Sequence, residues 1–192
     1  YFVAILIVSK LHPRLIDSGL KRGWFVEFVE YWHTVLEGRP MFFSDFSYLL
    51  GVYRQRFQSV ETPSEASRSE FLESWQGENT LYQLFGAVRR YAHEPLHCYR
   101  FEQWIKNGDS ILEYGCGIAP MSYSLLNYSK RRSLNITIAD IPQINSHFAI
   151  WRLGKSVNHI KLEPYKHELP ENAYNVVFMI TVLEHLPDPL TT

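Results

Sequence analysis

The stretch Ser110–Pro120, SILEYGCGIAP, decides the fold of this chain. Its apolar start ends in an acid, Glu113, and passes at once into a glycine turn, Gly115 to Gly117. A helical pattern of apolar residues follows through Leu125. Glycines in such a turn let the backbone approach a ligand where any Cβ would collide. A strand, an acid, a glycine turn and a helix in this order are typical of the first unit of a nucleotide-binding α/β sheet.

The glycine turn does not match the dinucleotide fingerprint. G-x-G-x-x-G needs a third glycine and a helix start whose N–H groups face a pyrophosphate. The third glycine position holds Pro120, which has no N–H. Glu113 at the strand end would repel a pyrophosphate and attract an amine or a sulfonium. The turn therefore favours a nucleoside ligand without phosphates, and a side chain at Gly115 is expected to collide with that ligand.

Three further segments extend this pattern. Asn135–Asp140, NITIAD, predicts a second strand that ends in an acid about twenty residues on, where a carboxylate can accept bonds from ribose hydroxyls. Tyr174–Ile180 predicts a later strand, and Val182–Pro189, VLEHLPDP, follows it. In this order and spacing, from about Thr80 onward, the chain resembles the class I S-adenosylmethionine-dependent methyltransferases.

The resemblance implies a fold, a cofactor and a set of binding residues. The fold is an α/β, Rossmann-like parallel sheet, here apparently truncated after its fourth strand and preceded by a helical region. The cofactor is S-adenosyl-L-methionine, bound at the carboxyl ends of the strands. The expected cofactor-binding residues are Glu113, Gly115, Cys116, Gly117, Asp140, Ile141 and Thr181. Glu113 would hold the methionine amino group through water, Asp140 the ribose, and Ile141 one adenine face.

The chain departs from the family pattern at several positions. Ala119 stands where many members have a third glycine, and Asn175 stands where the family often has an aspartate near the methyl donor. In the family an acid often contacts the adenine amino group. The nearest acid here is Glu163, while the family's usual sequence offset points to Tyr165. Arginines before the first strand could meet the cofactor carboxylate, and they are Arg89, Arg90 and Arg100.

The organisation along the chain predicts a mainly helical region over 1–79 and a partial methyltransferase domain over 80–192. In the first region, apolar residues recur at helical spacing from Trp24 to Leu36, with Gly38 as a stop, and a second helix is predicted over Phe43–Phe57, opened by Ser44 or Asp45. Because the family's sheet normally has seven strands, we expect the physiological chain to be longer at both ends.

Further helix starts and strands follow from caps and from a change of period. Thr62-Pro63-Ser64-Glu65 is a capping box, Thr80 is a predicted cap, and another helix is expected to reach Trp104. After Asp109, short β-rich runs alternate with helices, which implies a parallel sheet. The predicted elements are strands at Ser110–Tyr114, Asn135–Ala139, His159–Leu162 and Tyr174–Ile180, and helices at Ala119–Lys130 and Gln143–Leu153.

Composition favours an ordinary globular enzyme. The chain has 192 residues, 46% hydrophobic and 20% charged, and a formal net charge of -1. This charge gives no electrostatic reason to expect a nucleic-acid partner. Cys98 and Cys116 lie in different contexts, so a reducing cytoplasm is expected. The apolar run Tyr1–Val8 is too short to cross a bilayer, so no membrane partner is expected.

One motif points to different chemistry. His93-Glu94-Pro95-Leu96-His97 satisfies the metalloprotease pattern H-E-x-x-H, which needs both histidines on one continuous helical face. Pro95 would kink that helix, so we predict no zinc site.

Alternatives stay open for several residues and for the function. Asp140 could instead cap the next helix, His185 could act as a base or be structural, and Tyr91, Tyr99 or Trp104 could border the ligand. The favoured function is methyl transfer to a small-molecule acceptor, with no catalytic residue assigned. A non-catalytic or regulatory domain of the same fold is the runner-up, and an NAD or nucleotide-sugar oxidoreductase is third. The oligomeric state is open.

Overall fold

A parallel four-stranded sheet forms the centre of the computed structural model, which describes residues 23–59, 80–91, 101–131, 133–163 and 169–185. The strand order is β3-β2-β1-β4, and all three neighbouring pairs are parallel. The strands are β1 Ser110–Tyr114, β2 Asn135–Asp140, β3 Asn158–Lys161 and β4 Val176–Met179. The predicted fold class, a parallel sheet alternating with helices after a helical region, is confirmed.

The two central strands are buried because chain packs on both of their faces. Ile111 and Ile136 lie in a cluster with α4, the helix Pro120–Tyr128, while Leu112 and Ala139 lie in a separate cluster. Continuous apolar runs are what such doubly covered strands require. The observed bounds differ from the predicted ones by one or two residues at the ends of β2, β3 and β4.

Four more helices complete the described fold, numbered in chain order around α4. They are α1 Gly23–Thr34, α2 Phe43–Ser59, α3 Leu81–Arg90 and α5 Ile144–Leu153. Three short 3₁₀ turns cover Glu102–Trp104, Gly154–Ser156 and Leu183–His185. Where a helix was expected to reach Trp104, the described residues form only the first of these turns. The predicted helix at Thr62 lies outside the described residues.

The helix ends confirm some cap predictions and correct others. The N–H of Phe42 donates to Asp45 Oδ2 at 2.8 Å, which confirms Asp45 at the start of α2. Thr80 is the N-cap residue of α3, as predicted, but its side chain makes no capping bond. After α1 the left-handed residue is Glu37 (φ 53°) rather than Gly38.

An aromatic cluster packs the first helices onto the sheet layer. The Phe28 ring centroid lies 5.2 Å from that of Phe46 and 4.9 Å from that of Phe85, and the Tyr31 centroid lies 5.0 Å from that of Phe148 on α5. This cluster contains residues from both sides of the predicted boundary at residue 80. Among the described residues, none of the helices is both long enough and apolar enough to span a membrane.

A polar bridge also fixes α1 against α4 and α5. Arg152 Nε donates to Glu27 Oε2 at 2.7 Å, and the Arg152 guanidinium lies 3.3 Å from the centroid of the Tyr123 ring. The Tyr123 hydroxyl donates to Glu27 Oε1 at 2.9 Å. The Arg152 side chain is 4% exposed and that of Glu27 is 32% exposed, so the cation is buried while its carboxylate partner stays partly open to solvent.

Candidate functional site

The carboxyl edge of the sheet brings together most of the predicted site residues. In the parallel register, Tyr114 lies beside Ala139, and Asp140 lies beside Lys161. The turn from Gly115 to Gly117 leaves β1 at this edge, next to the end of β2. In open parallel sheets, ligands bind outside the carboxyl ends of the strands.

The turn after β1 is held in left-handed backbone conformations. Gly115 has φ 62° and Gly117 has φ 53°, values that favour glycine. Ala119, which stands where the resemblance leads one to expect a third glycine, also has φ 52° and is fully buried. Its left-handed conformation explains why glycine is expected there, and alanine accepts it at a cost of about 1 kcal/mol.

Asp140 connects the end of β2 to the glycine turn. Its Oδ2 accepts the Gly117 N–H at 2.7 Å, and its Oδ1 accepts bonds from Ile141 N at 2.7 Å and Gln143 Nε2 at 3.0 Å. The residue is 9% exposed, and burial raises the pKa of its carboxyl while the three bonds lower it. The N-cap of α5 is Gln143, so the alternative in which Asp140 caps that helix is wrong.

Glu113 makes its contacts with the start of α4. Its Oε2 accepts the Ser122 N–H at 2.7 Å and the Ser122 hydroxyl at 2.6 Å, and its Oε1 accepts the Met121 N–H at 3.2 Å. The side chain is 4% exposed, and burial raises its pKa to about 7 against the opposing effect of these bonds. The nearby carboxylate of Asp140 raises this pKa further. Glu113 therefore ties β1 to the helix that follows the turn.

Several backbone amides around the turn are already engaged. The N–H of Cys116 donates to Ala139 O at 3.2 Å, and that of Ala119 donates to Cys116 O at 2.7 Å. The Gly117 amide binds Asp140, and the first helical amides bind Glu113. At the first helical position Pro120 has no N–H. A pyrophosphate would find few donors here, which agrees with the mismatch to the dinucleotide fingerprint.

A cavity of about 530 Å³ adjoins Asp140 on the β3 side of the site. Its walls come from β2, β3, the start of α5 and the helix α1, and they include Cys116 and Asp140 from the predicted set. The volume falls within the range of small-molecule sites. Residues that the sequence reasoning had not selected also line it, among them Tyr31, Gln143, His147, His159 and Lys161.

Gly115 and Val182 meet on the opposite side of the site, where the chain leaves β4. A Cβ on Gly115 would collide with the side chain of Val182, which follows Thr181 after β4. A side chain at Gly115 would therefore collide with the protein itself, besides any ligand at the turn. Thr181 is exposed and has φ 55°, a rare conformation for a β-branched residue. Observed backbone outliers of this kind cluster at functional sites.

Two other members of the predicted set lie at the same edge. Cys116 is buried, and burial raises the pKa of its thiol well above the ordinary value. Ile141 is partly exposed next to Asp140, and its apolar side chain packs near Leu112 and Ala139. The roles of all seven predicted residues toward a ligand stay predictions.

Several secondary candidates lie elsewhere. Asn175 lies at the amino edge, where its Oδ1 accepts the Ser110 N–H at 2.8 Å, so this position does not approach the carboxyl edge as the resemblance implied. Trp104 is 64% exposed, and Arg89 and Arg90 are exposed on α3. Glu163 is exposed just after β3.

The H-E-x-x-H pattern at His93 and His97, for which we predict no zinc, lies outside the described residues, as do Tyr99, Arg100 and Tyr165. Within the part of the chain that the structure describes, no group of three or more His, Cys, Asp or Glu side chains is arranged to hold a metal ion.

Comparison with known families identifies the chain. Residues 82–192, more than half of the chain, match the family model described as a methyltransferase domain. The chain belongs to this methyltransferase-domain family, which confirms the resemblance predicted from the sequence. Comparison with curated protein sequences gave no match.

Solved structures give similar but distant folds. A SAM-dependent methyltransferase from Aquifex aeolicus is 24% identical, with 50% of this chain and 52% of that chain covered and a TM-score of 0.39. Coclaurine N-methyltransferase bound to N-methylheliamine and SAH is 18% identical, with 89% and 55% covered and a TM-score of 0.37. The plantazolicin methyltransferase in complex with a monoazolic analog and SAH is 17% identical, with 77% and 52% covered and a TM-score of 0.39. The chain spans about half the length of these structures.

Proposed function

We propose that this protein binds S-adenosyl-L-methionine at the carboxyl edge of its sheet and transfers the methyl group to a small-molecule acceptor. The observation that carries the proposal is the placement of Asp140. Its buried carboxylate ends β2, holds the Gly117 amide and lines a cavity of about 530 Å³, within a chain of the methyltransferase-domain family.

The residues present fit the nucleoside part of this cofactor. A carboxylate oxygen has two lone pairs. Among the described residues, Asp140 Oδ1 accepts two bonds and Oδ2 accepts one, from the Gly117 amide, so Oδ2 retains one position for a ribose hydroxyl. The neighbouring cavity, lined mainly by apolar groups such as Ile138 and Ile144, then accommodates the base.

The remaining predicted residues act on the other half of the ligand. When bound, S-adenosyl-L-methionine supplies a methyl group on a positively charged sulfur. Gly115 and Gly117 leave room for the amino-acid portion of the cofactor, and Thr181 borders its methyl-donating sulfur. Glu113 Oε1 reaches the amino group of the cofactor through a water molecule. The protein's contribution to methyl transfer is to align donor and acceptor and to exclude water, because the positive charge on sulfur is dispersed in the transition state and no new charge is created.

The acceptor proposed is a small molecule. The formal net charge of -1 supports this choice over nucleic acid. Incubation of a cell extract with the protein and methyl-labelled cofactor is expected to label the low-mass fraction. Labelling confined to macromolecules would contradict this part of the proposal. Binding without any turnover would favour the non-catalytic runner-up.

Two expectations from the sequence also stay proposals. The boundary between the helical region and the methyltransferase domain is placed near Thr80, which agrees with a family match that begins at residue 82. A cytoplasmic location is proposed from the unrelated contexts of Cys98 and Cys116, and fractionation of cells tests it.

Gly117→Ala tests the site with a matched control. Apart from its chain neighbours, no atom of the described residues lies within 4 Å of a Cβ at Gly117, so the substitution adds a methyl group on the ligand side and its cost to folding comes from the positive φ. Gly108 also has positive φ and open space, but it lies in the turn before β1, at the opposite edge. Calorimetric titration with S-adenosylhomocysteine should show binding by wild type and Gly108→Ala, and weakened binding by Gly117→Ala. Equal binding by both variants would remove the glycine turn from the site.

A further inference from the structure

The wall of the cavity contains a hydrogen bond between the helical region and the sheet layer. The hydroxyl of Tyr31 on α1 lies 2.7 Å from Nδ1 of His147 on α5, across 116 residues of sequence. Both residues line the cavity that adjoins Asp140. Tyr31 is fully buried, whereas the His147 side chain is exposed.

The tautomer of His147 decides the direction of this contact. Burial raises the pKa of Tyr31 to about 12, so its hydroxyl keeps its proton and is able to donate it. When the hydroxyl donates to Nδ1, the proton of the neutral imidazole lies on Nε2. In this tautomer His147 presents an N–H donor on a ring that a buried hydroxyl holds in place.

We propose that Tyr31 and His147 form a base-reading pair, in which His147 Nε2–H donates to a ring nitrogen of the purine in the cavity and Tyr31 positions the ring. The proposal rests on the proposed function, because it places the ribose at Asp140. With the ribose at the end of β2, the base extends along the wall that α5 and β3 form. His147 is thus a binding residue, and Tyr31 is a positioning residue supplied by the helical region.

Other side-chain donors line the same cavity, including two on β3. His159 and Lys161 are exposed on β3, and the bond from a buried hydroxyl distinguishes His147 from them. A preorganised donor discriminates better between ligands than one that must be ordered on binding. We therefore expect the ring-nitrogen contact to depend on His147 and on the hydroxyl of Tyr31.

Calorimetry tests the pair. The ligands are S-adenosylhomocysteine and a set of its analogues, in each of which one purine ring nitrogen is replaced by C–H. Wild type should bind one of these analogues roughly fivefold more weakly than S-adenosylhomocysteine, the effect of one neutral hydrogen bond. His147→Phe should lose this discrimination, and Tyr31→Phe should reduce it. His147→Gln, which retains an N–H donor, should restore part of it.

Tyr123→Phe is the matched control, since it removes a hydroxyl bond between α1 and α4 at a residue that does not line the cavity. It should discriminate as wild type does. If wild type binds S-adenosylhomocysteine and His147→Phe discriminates among the analogues as wild type does, the pair has no role in reading the base and the inference is wrong. If wild type does not bind S-adenosylhomocysteine at all, the proposed function itself fails.

Discussion

Burial of Glu113 should make this protein less stable as the pH rises through neutrality. Its carboxyl has an ordinary pKa of 4.5 and a pKa of about 7 in the folded protein, mainly because burial penalises the charged form. Between these two values the folded state binds a proton that the unfolded state has released. The resulting stabilisation is fully present below pH 4.5 and is lost as the pH rises through about 7.

The magnitude follows from the two pKa values. Each tenfold change in proton affinity corresponds to about 1.4 kcal/mol, so proton binding at Glu113 stabilises the folded state by about 3 kcal/mol in total. About 2.5 kcal/mol of this stabilisation is lost between pH 5 and pH 8. Urea unfolding, followed by tryptophan fluorescence at several pH values between 5 and 8, measures this loss of unfolding free energy. Glu113→Gln should remove this part of the pH dependence, because the amide does not titrate. The pKa of Asp140 is also raised, so Asp140 makes stability fall with rising pH in wild type and in Glu113→Gln alike, and it does not affect the comparison.

Glu102→Gln is the control for this comparison. The Lys130 N–H donates to the Glu102 carboxylate and lowers its pKa below 4.5, so Glu102 stays ionised above pH 5 in the folded state. Its substitution should leave the slope between pH 5 and pH 8 unchanged. Parallel pH profiles for wild type and Glu113→Gln would refute the reasoning, since they would show that Glu113 is already ionised in the folded protein.

Two further predictions concern the glycine turn and the polar bridge. Gly115→Ala should cost about 2–4 kcal/mol of unfolding free energy, and Gly117→Ala about 1–2 kcal/mol. The difference arises because only a Cβ at Gly115 collides with Val182. Equal losses for the two variants in urea unfolding would contradict the packing at Gly115. Arg152→Met should lower the unfolding free energy by about 1–3 kcal/mol, because it leaves Glu27 without its cation. In a double-mutant cycle with Glu27→Gln, most of this loss should appear as coupling energy between the two residues. Additive losses would show that the ion pair contributes little.

The sheet and the glycine turn were predictable because their signals are local. Apolar runs ending in Glu113 and Asp140 gave both strand ends, and parallel topology placed these ends at one edge. The same sequence did not reveal how each acid is used. The bonds from Met121 and Ser122 to Glu113 depend on how α4 turns back over β1, which no spacing rule specifies.

The cavity wall was not predictable for a related reason. Tyr31 and His147 lie 116 residues apart, and each on its own fits an ordinary helix of the core. Thr80 and Gly38 show the limit of local cap rules, because both sit near helix ends without the predicted conformation or bond. Packing of the aromatic cluster overrides these weak preferences, which are each worth about 1 kcal/mol or less.

The central claim is that Asp140 binds the ribose of S-adenosyl-L-methionine. Calorimetric titration of wild type and Asp140→Asn with S-adenosylhomocysteine and its 2′-deoxy analogue tests it most directly. We predict that wild type prefers the hydroxylated ligand by about 1.5–3 kcal/mol, the range for hydrogen bonds to a charged group, and that Asp140→Asn loses most of this preference. Equal preference in both proteins, or no binding of S-adenosylhomocysteine to wild type, would contradict the account.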